Sequence, residues 1–470
     1  MTLSSAITLA GCSIVGPDFE IPSINLAPEF VLGGTTPLAE APIDPWWQRL
    51  NDPLLDEFVL RGVVQNLSVR AALEHIVAAD AALGQTGVNA QTTGALSSNV
   101  QRQGNEVQTQ SSKSASINAA YVIDIFGGFS RGQERSVANY HAAQFDAGTV
   151  RLAYLADLTN SYMQARYYQE AAAITRQAIA SRRRTLAIVN QRRAVNEATE
   201  LEVQQAMSLL ASAQAPLPIM VANFEINVFR IATLLAEPAA PLLTTMQSGA
   251  RQPRPSGVTM TGLPADLLRS RPDIRAAERS FAAATAQIGV AEAQLYPSLQ
   301  LSGTMGAGTV DFWSFGPFVT VPVFNRGILR SRMQVAASNA REAELAWRET
   351  VLNAVEEVQV ALTLCRNWNL QIQHLRQAAA ASRTVLTLSR QSYQLGETTL
   401  TDVLDAERIN ANNRLALADA MRNYGLSWMR LQVATGRGWM ANGASSPLEQ
   451  QPPALEADPL GLHDVVLAAN

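Results

Sequence analysis

The stretch "SYQLGETTLTDVLDA", Ser392 to Ala406, has an echo 200 residues earlier in "RRAVNEATELEVQQA", Arg192 to Ala206. Gly396 falls opposite Asn196, and Gly and Asn are the residues that best tolerate the left-handed backbone closing a helix C-terminus. Three positions on stand Thr399 and Thr199, and three further on the acids Asp402 and Glu202. That [ST]-x-x-[DE] spacing is an N-cap signature, and the acid also suits the positive end of the helix dipole. A glycine, threonines and aspartates so close together could also form a phosphate or metal site. Helix, tight turn, helix accounts for most of them without a ligand.

Other segments repeat in the same order. Asp80 to Gln101 aligns with Thr285 to Gly306 on Gly84 and Gly289, and "IDIFGGFSR" (Ile123 to Arg131) matches "TVPVFNRGILR" (Thr320 to Arg330). The reading is a duplicated unit, residues 51–250 and 251–440, with a tail at 441–470. Each half holds a helix, two strands and a long helical hairpin, with turns at 195–199 and 395–399.

Period-two alternation predicts strands at 92–104, 114–125, 297–308 and 313–324. Leu299, Leu301 and Met305 face one way while Ser298, Gln300, Ser302 and Thr304 face the other. A soluble sandwich with one buried face gives the same pattern. So does a lipid-facing barrel strand. Four strands are too few to close a membrane barrel, so a membrane reading requires several chains to pool them. Helical patterns at 131–194 and 328–395 would each reach roughly 90–100 Å. Ala, Leu, Val and Ile recur there at coiled-coil spacing. Pro216 and Pro218 interrupt the matching helix of the first half, predicting either a bend or the end of one helix and the start of another.

The chain has 470 residues, net charge −4 and 16% charged residues, below the usual share of about 25%. No basic excess points to nucleic acid. Cys12 and Cys365 cannot build a disulfide scaffold, and the four histidines are scattered. No phosphate loop, dinucleotide fingerprint or nucleophile elbow is present, so the expectation is no enzyme, no cofactor and no metal. No run of 18 apolar residues predicts a membrane helix.

Near the start, Leu9-Ala10-Gly11-Cys12 fits a lipobox, making Cys12 the expected lipid attachment site after removal of residues 1–11. The preceding segment is short and lacks a basic n-region. Residues 12–50 begin Pro/Gly-rich and unpatterned, as an extended lipidated tether would.

"GLPADLLRSRPDIRAAE" (Gly262 to Glu278) closely resembles the opening of the second repeat in TolC-like outer-membrane efflux proteins, above all the lipoprotein outer-membrane factors of RND-type tripartite pumps. Gly16-Pro17-Asp18-Phe19, "WWQRLNDPLLDEFV" (Trp46 to Val59), "YPSLQLSG" (Tyr296 to Gly303) and "LGETTLTDVLDAER" (Leu395 to Arg408) carry the resemblance along the chain. It implies a mainly α protein with membrane β. Each copy of a homotrimer would give four strands to a twelve-stranded barrel, continued by a long α-helical periplasmic tunnel. The implied function is a passive outer-membrane exit duct for drugs or other small molecules. The implied partners are a periplasmic adaptor, an inner-membrane RND-type transporter and outer-membrane lipid, with no nucleic acid. A periplasmic coiled-coil adaptor and a type I secretion exit duct are the alternatives. Thr92 standing opposite Pro297 and Asn196 opposite Gly396 are departures from the family pattern.

By position in the family, Asp402, Asp405 and Glu202 are candidates for a pore constriction, against plain capping. Three copies of each would ring the mouth with negative charge. Gly396, Thr399, Leu400, Asn196 and Thr199 are candidates for adaptor contact. Arg182, Arg183, Arg184, Arg192 and Arg193 either pair with acids on a neighbouring helix or form a solvated face.

Overall fold

A computed structural model describes residues 14–33, 41–107, 109–249, 251–256, 262–308 and 310–440. A short 3-10 turn, Trp46–Leu50, leads into α1 (Pro53–Gln65), α2 (Leu67–Gly84), α3 (Val88–Gln91), β1 (Thr92–Gly104) and β2 (Thr109–Ile123). Next come α4 (Gly128–Ala194), α5 (Glu200–Gln214), α6 (Leu217–Leu235) and α7 (Ala239–Gln247). The second half runs α8 (Leu267–Ser270), α9 (Pro272–Ala293), β3 (Ser298–Ala307), β4 (Phe312–Thr320), α10 (Arg326–Leu395) and α11 (Leu400–Ala434).

Two helices of 67 and 70 residues, α4 and α10, set the length of the molecule at about 100 Å. α10 packs along α11, and α4 along α2, α6, α9 and α11. At Ala215 and Pro216 the backbone stays right-handed helical (φ −54°, ψ −43° and φ −78°, ψ −16°). The prolines therefore kink one path from Glu200 to Leu235. α11 covers the equivalent stretch unbroken, because Ala416–Ala418 keep their N–H donors. The kinked path reaches a mean hydropathy of 1.3 over 18 residues. It starts at the turn end of α4 and lies along α4, away from the sheet.

The three largest hydrophobic clusters among the described residues hold the body. Trp46 and Trp47 are buried edge-on to each other, and Trp46 meets Trp428 at 6.0 Å, joined by Leu55, Phe58, Tyr162 and Leu235. The tryptophans before residue 51 thus belong to the body, not to a tether. A second core gathers Phe30, Ile274, Trp347, Val351 and Leu431. The third seals the turn end with Val189, Val203, Tyr393, Leu400 and Val403. Phe30 and Phe19 (5.2 Å from Phe281) dock the extended segment 14–33 onto the body.

The strands form one antiparallel sheet in the order β1-β2-β3-β4. Opposed residues share a face. One face carries the rows Leu96–Ile117–Met305–Trp313, Gly94–Ala119–Gly303–Phe315 and Ile123–Leu299–Val319. The other carries Ser97–Ser116–Gly306–Phe312, Ala95–Asn118–Thr304–Ser314 and Thr93–Ala120–Ser302–Gly316. Leu96, Ile117, Met305, Trp313 and Phe315 are all more than half exposed, so this apolar face covers no core. That removes the soluble-sandwich reading and fits a lipid-facing wall backed by a polar lumen.

β2 starts at Thr109, five residues before the alternation, because its backbone zips to β1 down to Gly104 where both faces are polar. β4 ends at Thr320, since Pro322 has no N–H for a ladder. β1 and β4 are both open edges of the sheet.

Candidate functional site

The turn end of the helical body gathers most of the residues singled out in the sequence. At the second turn Gly396 takes φ 81°, its N–H donates to the Tyr393 carbonyl at 3.1 Å, and that of Glu397 donates to Ser392 at 2.9 Å. At the first turn Asn196 takes φ 59°, donating to Arg193 at 2.9 Å, with Glu197 donating to Arg192 at 2.8 Å. Both are Schellman-type closures that use up carbonyls at the helix end. Asparagine replaces glycine without changing the geometry.

Each next helix then opens with a reciprocal cap. The Thr399 N–H and hydroxyl donate to the Asp402 carboxylate at 3.0 and 2.7 Å, and the Asp402 N–H donates to Thr399 Oγ1 at 3.4 Å. Thr199 and Glu202 repeat this at 2.7, 3.0 and 3.3 Å. The Thr399 hydroxyl, then its backbone N–H, holds the Asp402 carboxyl below the usual carboxylate range. Asp402 and Glu202 are therefore engaged in capping. Asp405 is exposed and ion-paired with Arg408.

Gly396, Thr399, Asn196 and Thr199 lie exposed at the extremity. Leu400 does not: its side chain is buried against Tyr393 and Val403, so a role in surface contact is withdrawn. It heads the inward stripe Leu400–Val403–Glu407–Ala411, whereas its counterpart Glu200 is exposed and paired with Arg193.

The arginines divide. Arg192 lies over the Tyr393 ring at 4.8 Å and donates to its carbonyl at 3.1 Å, tying the two turns together, and it also pairs with Glu197 at 3.5 Å. Arg182 is buried and donates to the Leu209 carbonyl of α5 at 2.9 Å. Arg183 and Arg184 are exposed.

Glu407 was not singled out by the sequence. Its buried Oε1 accepts from Ser181 Oγ at 3.0 Å and Thr185 Oγ1 at 2.8 Å on α4, and from Arg390 at 2.6 Å on α10. The signal available was its place on the apolar stripe of α11.

At the opposite end, where the sheet meets the helices, the N-terminal segment is fixed. The Val15 N–H donates to Phe126 at 3.1 Å, and Arg131 binds the Val15 and Gly16 carbonyls (3.1 and 3.0 Å) and Asp18 (2.7 Å). Cys12 lies outside the described residues. Among those residues no cluster of His, Cys, Asp and Glu is suited to a metal. Burial raises the Cys365 thiol to about 12.

The family model for outer membrane efflux proteins matches residues 63–237 and 263–437, once on each half. Nodulation protein T of Rhizobium leguminosarum bv. viciae is 35% identical over 454 residues, covering 94% of both chains. The pyoverdine export outer membrane protein OpmQ of Pseudomonas putida is 29% identical over 471 residues, covering 94% of this chain and 97% of its own. Among solved structures, the outer-membrane channel OprN superposes with a TM-score of 0.82 at 29% identity, over 90% of this chain and 99% of that one.

Proposed function

The chain belongs to the outer membrane efflux protein family, and on that premise we propose that it works as a homotrimeric exit duct in a tripartite efflux system. It is an outer-membrane channel protein of efflux systems. In the proposed assembly three copies of the four-stranded sheet close one barrel, and their long helices continue it as a periplasmic tunnel. One observation supports this above the rest: a sheet with two open edges and an uncovered apolar face. Open edges demand strand partners, and an uncovered apolar face demands lipid.

In this reading the periplasmic adaptor docks on Gly396, Thr399, Asn196 and Thr199, and an inner-membrane RND-type transporter chooses the cargo. Asp405 and Asp402, with Glu202, supply the acids at the mouth. A lipid on Cys12, three residues before the pinned Val15, would enter the bilayer beside the barrel base.

Mass measurement of the detergent-extracted protein tests the assembly. A particle of three chains that produces conductance steps in planar bilayers is expected. A stable monomer without conductance overturns the proposal.

A further inference from the structure

About ten residues up α4 from the turns, α4, α10 and α11 enclose a cavity of about 340 Å³ lined by Arg182, Arg184, Arg383, Arg390, Arg414 and Glu407, among others. Five guanidinium groups face one carboxylate. Of the five, Arg390 is the one whose ion pair with an acid is seen among the described residues, and the acid is Glu407. Arg414 spends a donor on neutral Gln177 at 2.7 Å. Burial disfavours the charged forms of Arg182 and Arg414, and Arg383 beside Arg414 adds like-charge repulsion, only partly offset by Glu407 near Arg182 and Glu170 near Arg414. The cavity lining therefore carries an excess of positive charge that suits an anion.

Glu407 narrows which anion. Its side chain is 2% exposed, and three donors converge on Oε1. Glu407 lines the cavity, and its buried Oε2 has no hydrogen-bond partner. The Nε of buried Arg182 is also unpartnered. A buried acceptor left unmade is costly, more so when charged. The complement to both features is an oxyanion that accepts from arginines and still carries an O–H to donate to a carboxylate. Hydrogen phosphate has that O–H near neutral pH. Sulfate has none, and its oxygens would repel Oε2.

We propose that this cavity is a binding site for a protonated phosphate, either the free ion or a phosphomonoester. Arg383, Arg414 and Arg182 hold its anionic oxygens and Glu407 Oε2 accepts its P–OH. Charge-assisted bonds from several arginines supply the affinity. The carboxylate supplies the choice, because an acceptor aimed at an unprotonated oxyanion is a penalty instead of a bond. A bound phosphate would link α4, α10 and α11 a short way above the turns.

Calorimetric titration of the full-length protein in phosphate-free detergent tests this, with sodium phosphate, glycerol phosphate and sodium sulfate compared at matched ionic strength and about pH 6, where both phosphates carry a P–OH to a substantial extent. Phosphate is expected to bind at least tenfold tighter than sulfate. Arg383→Gln with Arg414→Gln removes two partly or fully exposed cations and should weaken phosphate at least tenfold. Glu407→Gln presents an N–H in place of the acceptor and should reverse the preference towards sulfate. Should Glu407→Gln fail to fold, the arginine double variant and the wild-type comparison still decide. Glycerol phosphate binding as tightly as inorganic phosphate assigns the site to phosphomonoesters, and inorganic phosphate alone assigns it to the free ion. Equal affinity for phosphate and sulfate in the wild type, or phosphate binding untouched by the arginine double variant, overturns the proposal.

Discussion

Gly16 and Gly289 meet backbone to backbone: a Cβ on Gly16 would run into the Cα of Gly289, and one on Gly289 would come 2.9 Å from the Val15 carbonyl oxygen and 2.7 Å from Arg131 Cγ. Gly16 also takes φ +89°, which disfavours a side chain. This contact presses the N-terminal segment onto α9 beside the base of the sheet. Gly289→Ala should cost about 1–3 kcal/mol by overpacking. Its thermal midpoint in detergent should fall, and residues 14–33 should become open to protease. A midpoint and cleavage pattern like the wild type's would show that the segment tolerates the methyl group.

Thr304 and Met305 are neighbours in sequence on opposite faces of β3. Met305→Lys puts a charge on the apolar face, where lysine at bilayer depth costs about 2–4 kcal/mol. Thr304→Lys puts the same charge among Asn118, Ala95 and Ser314. Outer-membrane yield should drop for the first and hold for the second. Equal yields would refute the assignment of the two faces.

The Thr399–Asp402 cap carries a pH signature. The folded carboxyl titrates below its unfolded value, so the cap's stabilisation is full above the ordinary carboxylate range, about pH 4. It is lost as pH falls through the folded value. Hydrogen-exchange protection at residues 397–403, taken relative to the intrinsic rate at each pH, should fall on acidification in the wild type and lose that dependence in Asp402→Asn. Thr399→Ala should destabilise the turn by about 1 kcal/mol at neutral pH.

Ion selectivity separates capping from a role at the mouth. Asp402→Ala with Asp405→Ala should move the cation-to-anion permeability ratio in planar bilayers towards one. Asp405→Ala alone leaves the cap intact and should produce part of the shift. An unchanged ratio takes both residues out of the conducting path.

The turns were legible because their chemistry is local: Gly396, Thr399 and Asp402 sit within seven residues, and so do Asn196, Thr199 and Glu202. The strands were legible where one face is apolar. Residues 109–113 were not, since a ladder zipped above the apolar band leaves no alternation to read. Leu400 and Glu407 show the other limit. Both lie on the inward stripe of α11, but only the fold brings Tyr393 to one and Ser181, 226 residues away, to the other. Distance along the chain hides such partners, whereas Asp402 stands in a local capping pattern with Thr399.

The two open edges, β1 and β4, are different surfaces, so in the proposed barrel the β1 of one copy meets the β4 of the next, head-to-tail. A contact of that kind specifies its own geometry but not when to stop. Rings and open ribbons share it, and the rotation per copy decides between them. The copy number of the channel is therefore a property of twist and strand tilt, not of the edges that touch. A substitution that alters sheet curvature without weakening any contact would change the bore of the duct, or leave it an open ribbon, while every chain remained correctly folded.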